Sequence, residues 1–174
     1  MTAEVTIVLG GARSGKSRFA EGLVTRAPKP WIYIATAQGW DEEMAARIAR
    51  HRDDRGPGWT TVEEPLDLAG ALRQHATAGA SVLVDCLTLW LSNLMVAERD
   101  IAVETATLLA ALAEVEGHVV LVSNEVGLGI VPDNALARRF REEAGRLHQA
   151  VAAIAGRAVF VVAGLPMFLK GEPD

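Results

Sequence analysis

An eight-residue run near the start of the chain has the residue types and the spacing that binding a nucleotide phosphate requires. The run reads GGARSGKS and fits the pattern G-x-x-x-x-G-K-[ST], between an apolar segment and a helical pattern. Glycines let successive backbone N–H groups point into one concavity, and the following helix adds its free N–H groups and its positive dipole end. The pattern predicts a phosphate-binding loop made of Gly10, Gly11, Ala12, Arg13, Ser14, Gly15, Lys16 and Ser17.

Two side chains at the end of this loop predict how a triphosphate is handled. Lys16 is a mobile cation that can reach the terminal phosphates, and Ser17 offers a hydroxyl to the Mg²⁺ that accompanies them. A second, acidic partner for Mg²⁺ is expected at the end of an apolar strand. Asp85 ends one apolar run and is the better candidate, although it could instead cap the helix that follows. Glu125, which follows another apolar run, is its rival.

One histidine lies in a pattern that could carry covalent chemistry. In a helical segment, Arg47, His51 and Arg55 recur at four-residue steps on one face, and Arg50 and Arg52 flank the histidine. Guanidinium groups match phosphate oxygens, and positive neighbours lower the pKa of an imidazole, so that a neutral ring could attack phosphorus. The alternative is an ordinary solvated helix face, and the residues alone favour that alternative.

Two other reactive side chains are expected to have structural roles. Cys86 has no base spaced to serve it and is predicted to be a buried thiol. His148 flanks the apolar face of a long helical pattern and is predicted to lie at the edge of that face. Neither side chain is therefore assigned to catalysis.

The chain alternates continuous apolar runs with helical patterns, which is typical of an α/β fold with a mainly parallel sheet and helices on both faces. Strands are expected at 4–9, 31–35, 59–64, 81–85, 119–123 and 158–163, and helices at about 15–26, 41–55, 66–78, 86–96, 102–115 and 134–155. The 86–96 helix is apolar on nearly all sides and must be buried, in the core or against another subunit. A short tail is expected from Gly164. Ligands of such folds bind at the carboxyl ends of the strands, where the polar residues above are placed.

Composition excludes several classes of protein. A chain of 174 residues, 50% apolar and 22% charged, predicts a single domain over 1–174. The net charge of −5 gives no electrostatic signature of nucleic-acid binding, and no apolar run reaches the length of a membrane span. The single cysteine excludes an internal disulfide, and the first residues do not have the pattern of a signal peptide. A cytoplasmic, soluble enzyme is expected.

Several segments together resemble one known family. They are GGARSGKS at 10–17, YIAT at 33–36, the helical segment around His51, DCLTLWLSNL at 85–94 and SNEVGLGIVP at 123–132. The combination covers essentially the whole chain and is similar to the bifunctional adenosylcobinamide kinase/adenosylcobinamide-phosphate guanylyltransferases of cobalamin biosynthesis. The resemblance implies a P-loop NTPase-like fold and two reactions. A nucleoside triphosphate, ATP or GTP, phosphorylates adenosylcobinamide, and GTP then gives GMP to adenosylcobinamide phosphate with release of pyrophosphate.

The resemblance also implies roles for particular residues. His51 matches the histidine that carries GMP in this family, which reverses the balance that the residues alone gave. Lys16 is implied to be catalytic, and Ser17 and Asp85 are implied to hold Mg²⁺. Besides the glycine-rich loop, the matched nucleotide-binding positions are Ala35, Thr36, Ala37, Arg52, Asp53, Asp54, Arg55, Glu63 and Asp85.

Specificity, assembly and two alternatives complete these expectations. Glu63 could accept hydrogen bonds from guanine, and the family implies a homotrimer in which the 86–96 helix would suit a buried interface. One alternative is a plain small-molecule P-loop kinase, with the arginines of 41–55 as charge clamps and His51 as a bystander. The other is a non-enzymatic, nucleotide-dependent switch in which the 123–132 glycine loop changes conformation.

Overall fold

A central, mainly parallel sheet organises the chain. The computed structural model describes residues 4–39 and 42–173, except for the side chains of Met44, Arg47, His51, Arg52 and Asp54. The strands are β1 (Val5–Gly10), β2 (Trp31–Ala35), β3 (Trp59–Glu63), β4 (Ser81–Asp85), β5 (His118–Asn124), β6 (Arg157–Val162) and β7 (Leu165–Lys170). The helices are α1 (Lys16–Arg26), α2 (Glu42–Asp54), α3 (Leu68–His75), α4 (Leu87–Val96), α5 (Ile101–Glu114) and α6 (Ala135–Ile154). The strands form one sheet in the order β3-β2-β4-β5-β1-β6-β7, and β7 runs antiparallel to β6.

The central strands are almost continuously apolar because helices cover both faces of the sheet. On one face, Ala20, Leu23 and Val24 of α1 pack in a cluster with strand residues such as Val122 and Val159. On the other face, α3, α4, α5 and α6 enclose a larger core. The predicted α/β architecture is therefore confirmed. Each helix in the described ranges is too short or too polar to cross a lipid bilayer.

The register of the parallel strands brings the polar chain exits to one edge of the sheet. Gly10 of β1 pairs with Asn124 of β5, and Asp85 of β4 pairs with Ala35 of β2. Ala35 also pairs with Glu63 of β3. All of these residues end their strands, so they lie at the edge where α/β folds bind ligands.

Helix α4 is buried in the core of its own chain. The side chains of Leu87, Trp90 and Leu94 are exposed by 1% or less, and the indole N–H of Trp90 donates to the carbonyl of Leu66 over 2.8 Å. Of the two predicted locations for this apolar helix, the core is confirmed. The exposed end of α4 is at Val96, whereas Leu89, Ser92 and Met95 are half-buried.

The predicted tail after Gly164 is wrong, because β7 completes a hairpin with β6. Ala163 and Gly164 form the two-residue turn, with φ values of 53° and 77°, and positive φ at both positions is what a tight hairpin turn of this kind needs. Pro166 lies in this strand although proline has no N–H to donate. At the edge of a sheet that missing donor is tolerated, and β7 is such an edge strand.

The prediction that His148 lies at the edge of the long helix is also wrong, because the side chain is buried. Its exposed fraction is 8%, and its Nε2 lies 2.7 Å from the hydroxyl of Ser123 near the end of β5. That hydrogen bond allows a polar ring to be buried against the core. Burial lowers the pKa of His148 below 6.5, and the carboxylate of Glu125 acts more weakly in the opposite direction.

Folding stability is expected to fall as the pH drops below about 6.5 because of His148. The folded pKa lies below the unfolded one, so the unfolded chain takes up the proton first and stability rises with pH across this window. Denaturant unfolding measured between about pH 5 and pH 8 should show this slope for the wild type and a flatter profile for His148→Gln. The control is His75→Gln, which removes a partly exposed histidine from α3. Equal slopes for His148→Gln and the wild type would contradict the expectation.

Candidate active site

The loop between β1 and α1 presents free backbone donors at the start of a helix. Helix α1 begins at Lys16, after Gly15 in the left-handed conformation with φ of 90°. Gly15 has no side chain to cap the helix, the hydroxyl of Ser14 accepts from the N–H of Lys16 over 3.4 Å, and the first turn holds no acidic residue. The first N–H groups of an α-helix lack partners within the helix and attract anions. The loop is therefore built to receive phosphate oxygens.

The β6–β7 turn packs directly on this loop and helps to fix its shape. The N–H of Gly164 donates to the carbonyl of Ser14 over 2.7 Å. A Cβ on Gly15 would lie 3.0 Å from the Cα of Gly164, and a Cβ on Gly10 would lie 2.9 Å from the carbonyl oxygen of Val161. Close approach of two backbones therefore requires glycine at both loop positions.

Replacing Gly15 by alanine is expected to lower the free energy of unfolding and to weaken nucleotide binding. The left-handed backbone alone costs a non-glycine residue roughly 1–2 kcal/mol, and the contact with the β6–β7 turn adds to that. Gly11→Ala is the matched control, because a Cβ there meets no atom within 4 Å. Denaturant unfolding and calorimetric titration with ATP would measure both effects. If the two variants behave alike, the packing argument fails.

A cavity of about 830 Å³ opens in front of the loop, and helix α2 forms part of its wall. Glu43, Ala46 and Arg50 line it from α2, and their three- and four-residue spacing puts them on one helix face. Asn124 lines it from β5, and residues 12–18 supply the remainder. Arg50 thus adds a guanidinium to the cavity in front of the phosphate loop, and guanidinium donors match phosphate oxygens.

A second pocket, of about 600 Å³, lies against a different face of α2. Ala45, Ile48 and Ala49 line it from the helix, and Glu63 adds a carboxylate from the end of β3. The loop after β2 contributes residues 37–39. Apolar walls with a polar group at one side suit a flat heteroaromatic ring. Helix α2 therefore contributes side chains to both the phosphate cavity and this second pocket.

Asp85 is held by a tyrosine and does not cap helix α4. The hydroxyl of Tyr33 donates to Oδ2 of Asp85 over 2.7 Å, and Cys86 occupies the N-cap position of α4. The helix-cap alternative for Asp85 is therefore wrong. Burial, assisted by the nearby carboxylate, raises the pKa of Tyr33 above 10, so the phenol stays a donor. Within the described residues, Oδ1 of Asp85 accepts no hydrogen bond and is available to a ligand.

Tyr33 also connects Asp85 to the end of α2. The guanidinium carbon of Arg55 lies 3.4 Å from the centroid of the Tyr33 ring, and Arg55 donates to the hydroxyl of Thr61 over 3.4 Å. Stacking of a guanidinium on an aromatic ring is favourable for both charge and packing. The predicted residue Arg55 is therefore anchored beside β2 and β3.

Thr36 ties the ends of β2 and β4 together. Its hydroxyl accepts from the N–H of Cys86 and donates to the carbonyl of Cys86, each over 2.8 Å. The amide of Asn93 donates to the carbonyl of Thr36 over 2.7 Å. Thr36 and Ala35 are buried, whereas Ala37 lines the second pocket. Thr36 therefore shapes the site through the backbone that it holds.

The thiol of Cys86 is buried, as the sequence predicted. Burial is the main reason why the pKa of Cys86 is raised, and the charge of Asp85 acts in the same direction. The hydrogen bond with Thr88 and, more weakly, the charge of Lys16 lower the pKa and oppose this shift. Lys16 itself donates to the carbonyl of Gly11 over 3.2 Å. A protonated, enclosed thiol supplies no nucleophile.

The predicted histidine belongs to helix α2. His51 follows Arg50, which lines the phosphate cavity, and its own side chain lies outside the described residues. The side chains of Arg52 and Asp54 also lie outside them, and Asp53 is exposed. Helix α2, which contains His51, therefore forms part of the wall of the phosphate cavity.

Glu125, the rival of Asp85, is engaged in its own loop. Its carboxylate accepts from the N–H of Gly127, and its backbone N–H donates to the carbonyl of Gly10 over 2.9 Å. One oxygen of each carboxylate is therefore hydrogen-bonded, and Asp85 remains the better candidate for a metal-associated acid because it ends β4 at the carboxyl edge of the sheet.

A magnesium ion would find few but suitable protein ligands here. In the described part of the chain, no three His, Cys, Asp or Glu side chains are grouped to hold a metal. Mg²⁺ usually binds through one or two carboxylates together with water and phosphate oxygens. Ser17 at the start of α1 and Asp85 at the end of β4 supply oxygen donors, so the residues fit Mg²⁺ that arrives with a nucleotide.

Solved structures with the same fold define the class of protein. The P4 protein from bacteriophage phi6 in complex with ADP matches 95% of this chain with a TM-score of 0.51 at 18% identity, and this chain spans 54% of its length. The flagellar accessory protein FlaH from Methanocaldococcus jannaschii matches 98% of this chain, over 80% of its own, with a TM-score of 0.50 at 13% identity. The glycine-rich loop and the parallel sheet thus define a P-loop NTPase-like nucleotide-binding fold.

Sequence relatives give the family. The family model of "Cobinamide kinase / cobinamide phosphate guanyltransferase" matches residues 6–169, and the chain belongs to this family. The bifunctional adenosylcobalamin biosynthesis protein CobP of Pseudomonas aeruginosa is 54% identical over 96% of this chain and 98% of its own. The protein CobU of Salmonella typhimurium, with the same description, is 42% identical over 94% of this chain and 98% of its own. The chain is an enzyme with two activities, kinase and guanylyltransferase, in cobalamin synthesis.

Proposed function

We propose that the chain phosphorylates the aminopropanol hydroxyl of adenosylcobinamide and then transfers GMP from GTP to the resulting adenosylcobinamide phosphate. The observation that carries this proposal is the position of α2. The helix that contains His51 lines the phosphate cavity through Arg50 and the second pocket through Ile48 and Ala49. A nucleotide at this edge would therefore meet the P-loop and the helix of the proposed nucleophile together.

In the kinase step, backbone N–H groups of the loop and Lys16 hold the β- and γ-phosphates and stabilise the charge of the transferring group. The acceptor oxygen forms a bond to the γ-phosphorus, the bond to the bridging oxygen breaks, and a nucleoside diphosphate leaves. Mg²⁺ held by Ser17 and Asp85 would neutralise part of the phosphate charge. The hydrogen bond from Tyr33 orients the carboxylate of Asp85 for that role.

In the guanylyl step, His51 is the nucleophile. A neutral imidazole nitrogen forms a bond to the α-phosphorus of GTP, pyrophosphate leaves, and GMP remains on the ring as a phosphoramidate. A phosphate oxygen of adenosylcobinamide phosphate then attacks the same phosphorus and displaces the imidazole, which gives adenosylcobinamide-GDP. Arg47, Arg52 and Arg55 are proposed to steady the phosphates, because guanidinium groups pair with phosphate oxygens.

We further propose that the second pocket takes the guanine base. Ile48 and the two alanines of α2 would pack on the faces of the ring, and Glu63 would accept hydrogen bonds from its N–H groups. Adenine does not present the same donors to a carboxylate. This arrangement would favour GTP in the guanylyl step, with either ATP or GTP serving the kinase step.

We also propose a single domain over 1–174 and a homotrimer. The single sheet of the described residues supports the first statement. The trimer depends on the family resemblance, and it would need a surface other than the buried face of α4. The edge strand β7 offers one, because Leu165, Met167 and Leu169 are exposed by 71%, 55% and 58%.

Product analysis tests the two reactions. The protein is incubated with adenosylcobinamide, Mg²⁺ and either ATP or GTP. The corrinoid products are then separated by chromatography and identified by mass spectrometry. The proposal expects adenosylcobinamide phosphate with at least one nucleotide, and adenosylcobinamide-GDP with pyrophosphate only when GTP is present. A reaction that stops at the phosphate with GTP would support the plain kinase. No turnover with either nucleotide would support the non-enzymatic switch.

A further inference from the structure

Asn124 reaches the phosphate cavity from a strand to which the sequence assigned no site residue. It ends β5, pairs in register with Gly10 at the start of the phosphate loop, and lines the cavity together with Lys16 and Ser17. Apart from Asn124, the described lining of this cavity comes from the loop, the start of α1 and helix α2. Asn124 is therefore the contribution of the neighbouring strand to the phosphate site.

The side-chain amide of Asn124 is held by a buried hydroxyl. Its Nδ2 donates to Oγ1 of Thr88 over 2.8 Å, and its backbone N–H donates to the same oxygen over 3.4 Å. Thr88 is only 5% exposed and lies 3.2 Å from the sulfur of Cys86. Because two donors of one residue converge on a single buried oxygen, the amide is fixed before any substrate binds.

The other end of the same amide is free to act on a ligand. Among the described residues, nothing donates a hydrogen bond to Oδ1 of Asn124. An amide oxygen can accept from a hydroxyl but has no negative charge to repel a triphosphate. The nearby acid Glu125 is not among the described residues that line this cavity, and one of its carboxylate oxygens accepts from the N–H of Gly127. A neutral acceptor that lines the same cavity as Lys16 suits the hydroxyl that must approach the γ-phosphorus.

We propose that Asn124 is a catalytic residue of the kinase step and that Thr88 is its positioning residue. This inference rests on the proposed function. Oδ1 of Asn124 accepts a hydrogen bond from the acceptor hydroxyl and directs its oxygen toward the γ-phosphorus. The new phosphorus–oxygen bond forms as the bond to the nucleoside diphosphate breaks. The hydroxyl proton passes to an oxygen of the transferred phosphoryl group and then to water, so Asn124 itself remains neutral.

The test compares the two reactions of one protein. Asn124→Ala is expected to lower kcat for adenosylcobinamide phosphorylation about 10²- to 10³-fold, the usual cost of one lost transition-state contact. The fold-decrease in the rate at which α-labelled GTP labels the protein should be at least about tenfold smaller than the fold-decrease in kcat. The labelling reaction does not use the acceptor hydroxyl. The KM for ATP should change by less than about threefold. A variant that loses both reactions equally, or neither, would overturn the proposal.

Thr88 provides a second and independent test. Thr88→Val keeps the shape of the side chain but removes the hydroxyl that holds the amide, and it should lower kcat with little change in KM. Thr88→Ser keeps the hydroxyl and should recover most of the lost kcat. Equal kcat values for the two variants, at equal melting temperatures, would show that Thr88 does not position Asn124. If the wild type does not phosphorylate adenosylcobinamide, the proposed function fails. If the wild type does so and Asn124→Ala and Thr88→Val have the same kcat as the wild type, this inference alone fails.

Discussion

Replacing His51 by alanine is expected to abolish GMP transfer while adenosylcobinamide phosphorylation continues. Removal of a covalent nucleophile can cost many orders of magnitude, and we expect a loss of at least about a thousandfold. The kinase step does not use the imidazole, so its rate should stay within about tenfold of the wild type. Supplying adenosylcobinamide phosphate with GTP isolates the guanylyl step, and supplying adenosylcobinamide with ATP isolates the kinase step.

His75→Ala is the control for this variant, because it removes a histidine from α3 and leaves α2 unchanged. It should keep both activities. Retention of GMP transfer by His51→Ala to within about tenfold would contradict the covalent mechanism. Equal loss of both activities would instead show that His51 is needed for the structure of the site or for nucleotide binding.

Replacing Lys16 by alanine is expected to lower the kinase rate about 10²- to 10³-fold, because one preorganised cation on the transferring phosphoryl group is lost. The Kd for ATP should also rise, since the same ammonium is proposed to contact the phosphates of the ground state. Steady-state kinetics and calorimetric titration separate these two effects.

A matched control is Lys29→Ala, because Lys29 lies away from the phosphate cavity with its ammonium 4.9 Å from the centroid of the Trp31 ring. That variant should have the kinase rate of the wild type. If Lys16→Ala and Lys29→Ala have similar rates, the glycine-rich loop does not serve the γ-phosphoryl transfer. In that case the kinase chemistry would have to be assigned to another part of the molecule.

The strands β1 to β6 and the phosphate loop could be predicted from sequence because their signals are local. Apolar runs followed by polar exits marked the strand ends, and Asp85 was found by that rule. Asn124 also follows an apolar run and ends β5, so the same rule could have identified it. An amide has no charge that would suggest a metal ligand. The proposed role of Asn124 depends on its pairing with Gly10 of β1, which the sequence does not show.

The contacts that hold the site in shape could not be predicted from sequence, because they join distant parts of the chain. The turn at Gly164 packs on the phosphate loop only because β7 folds back beside β6. His148 could be buried only because Ser123 meets it from β5. Pro166 and a lone histidine carry no local sign of such partners. Tertiary contacts therefore decided the features that the sequence left open or placed wrongly.

We propose that one P-loop site serves both reactions and that His51 carries GMP from GTP to adenosylcobinamide phosphate. To test this, the protein is incubated with GTP labelled at either the α- or the γ-phosphorus and is then denatured and digested, and the labelled peptide is identified. We expect the protein to retain label from the α-position only, on the peptide that contains His51, and we expect that label to survive base but to be lost in acid, as a phosphoramidate would be. Retention of γ-label, or α-label on a peptide without His51, would contradict it.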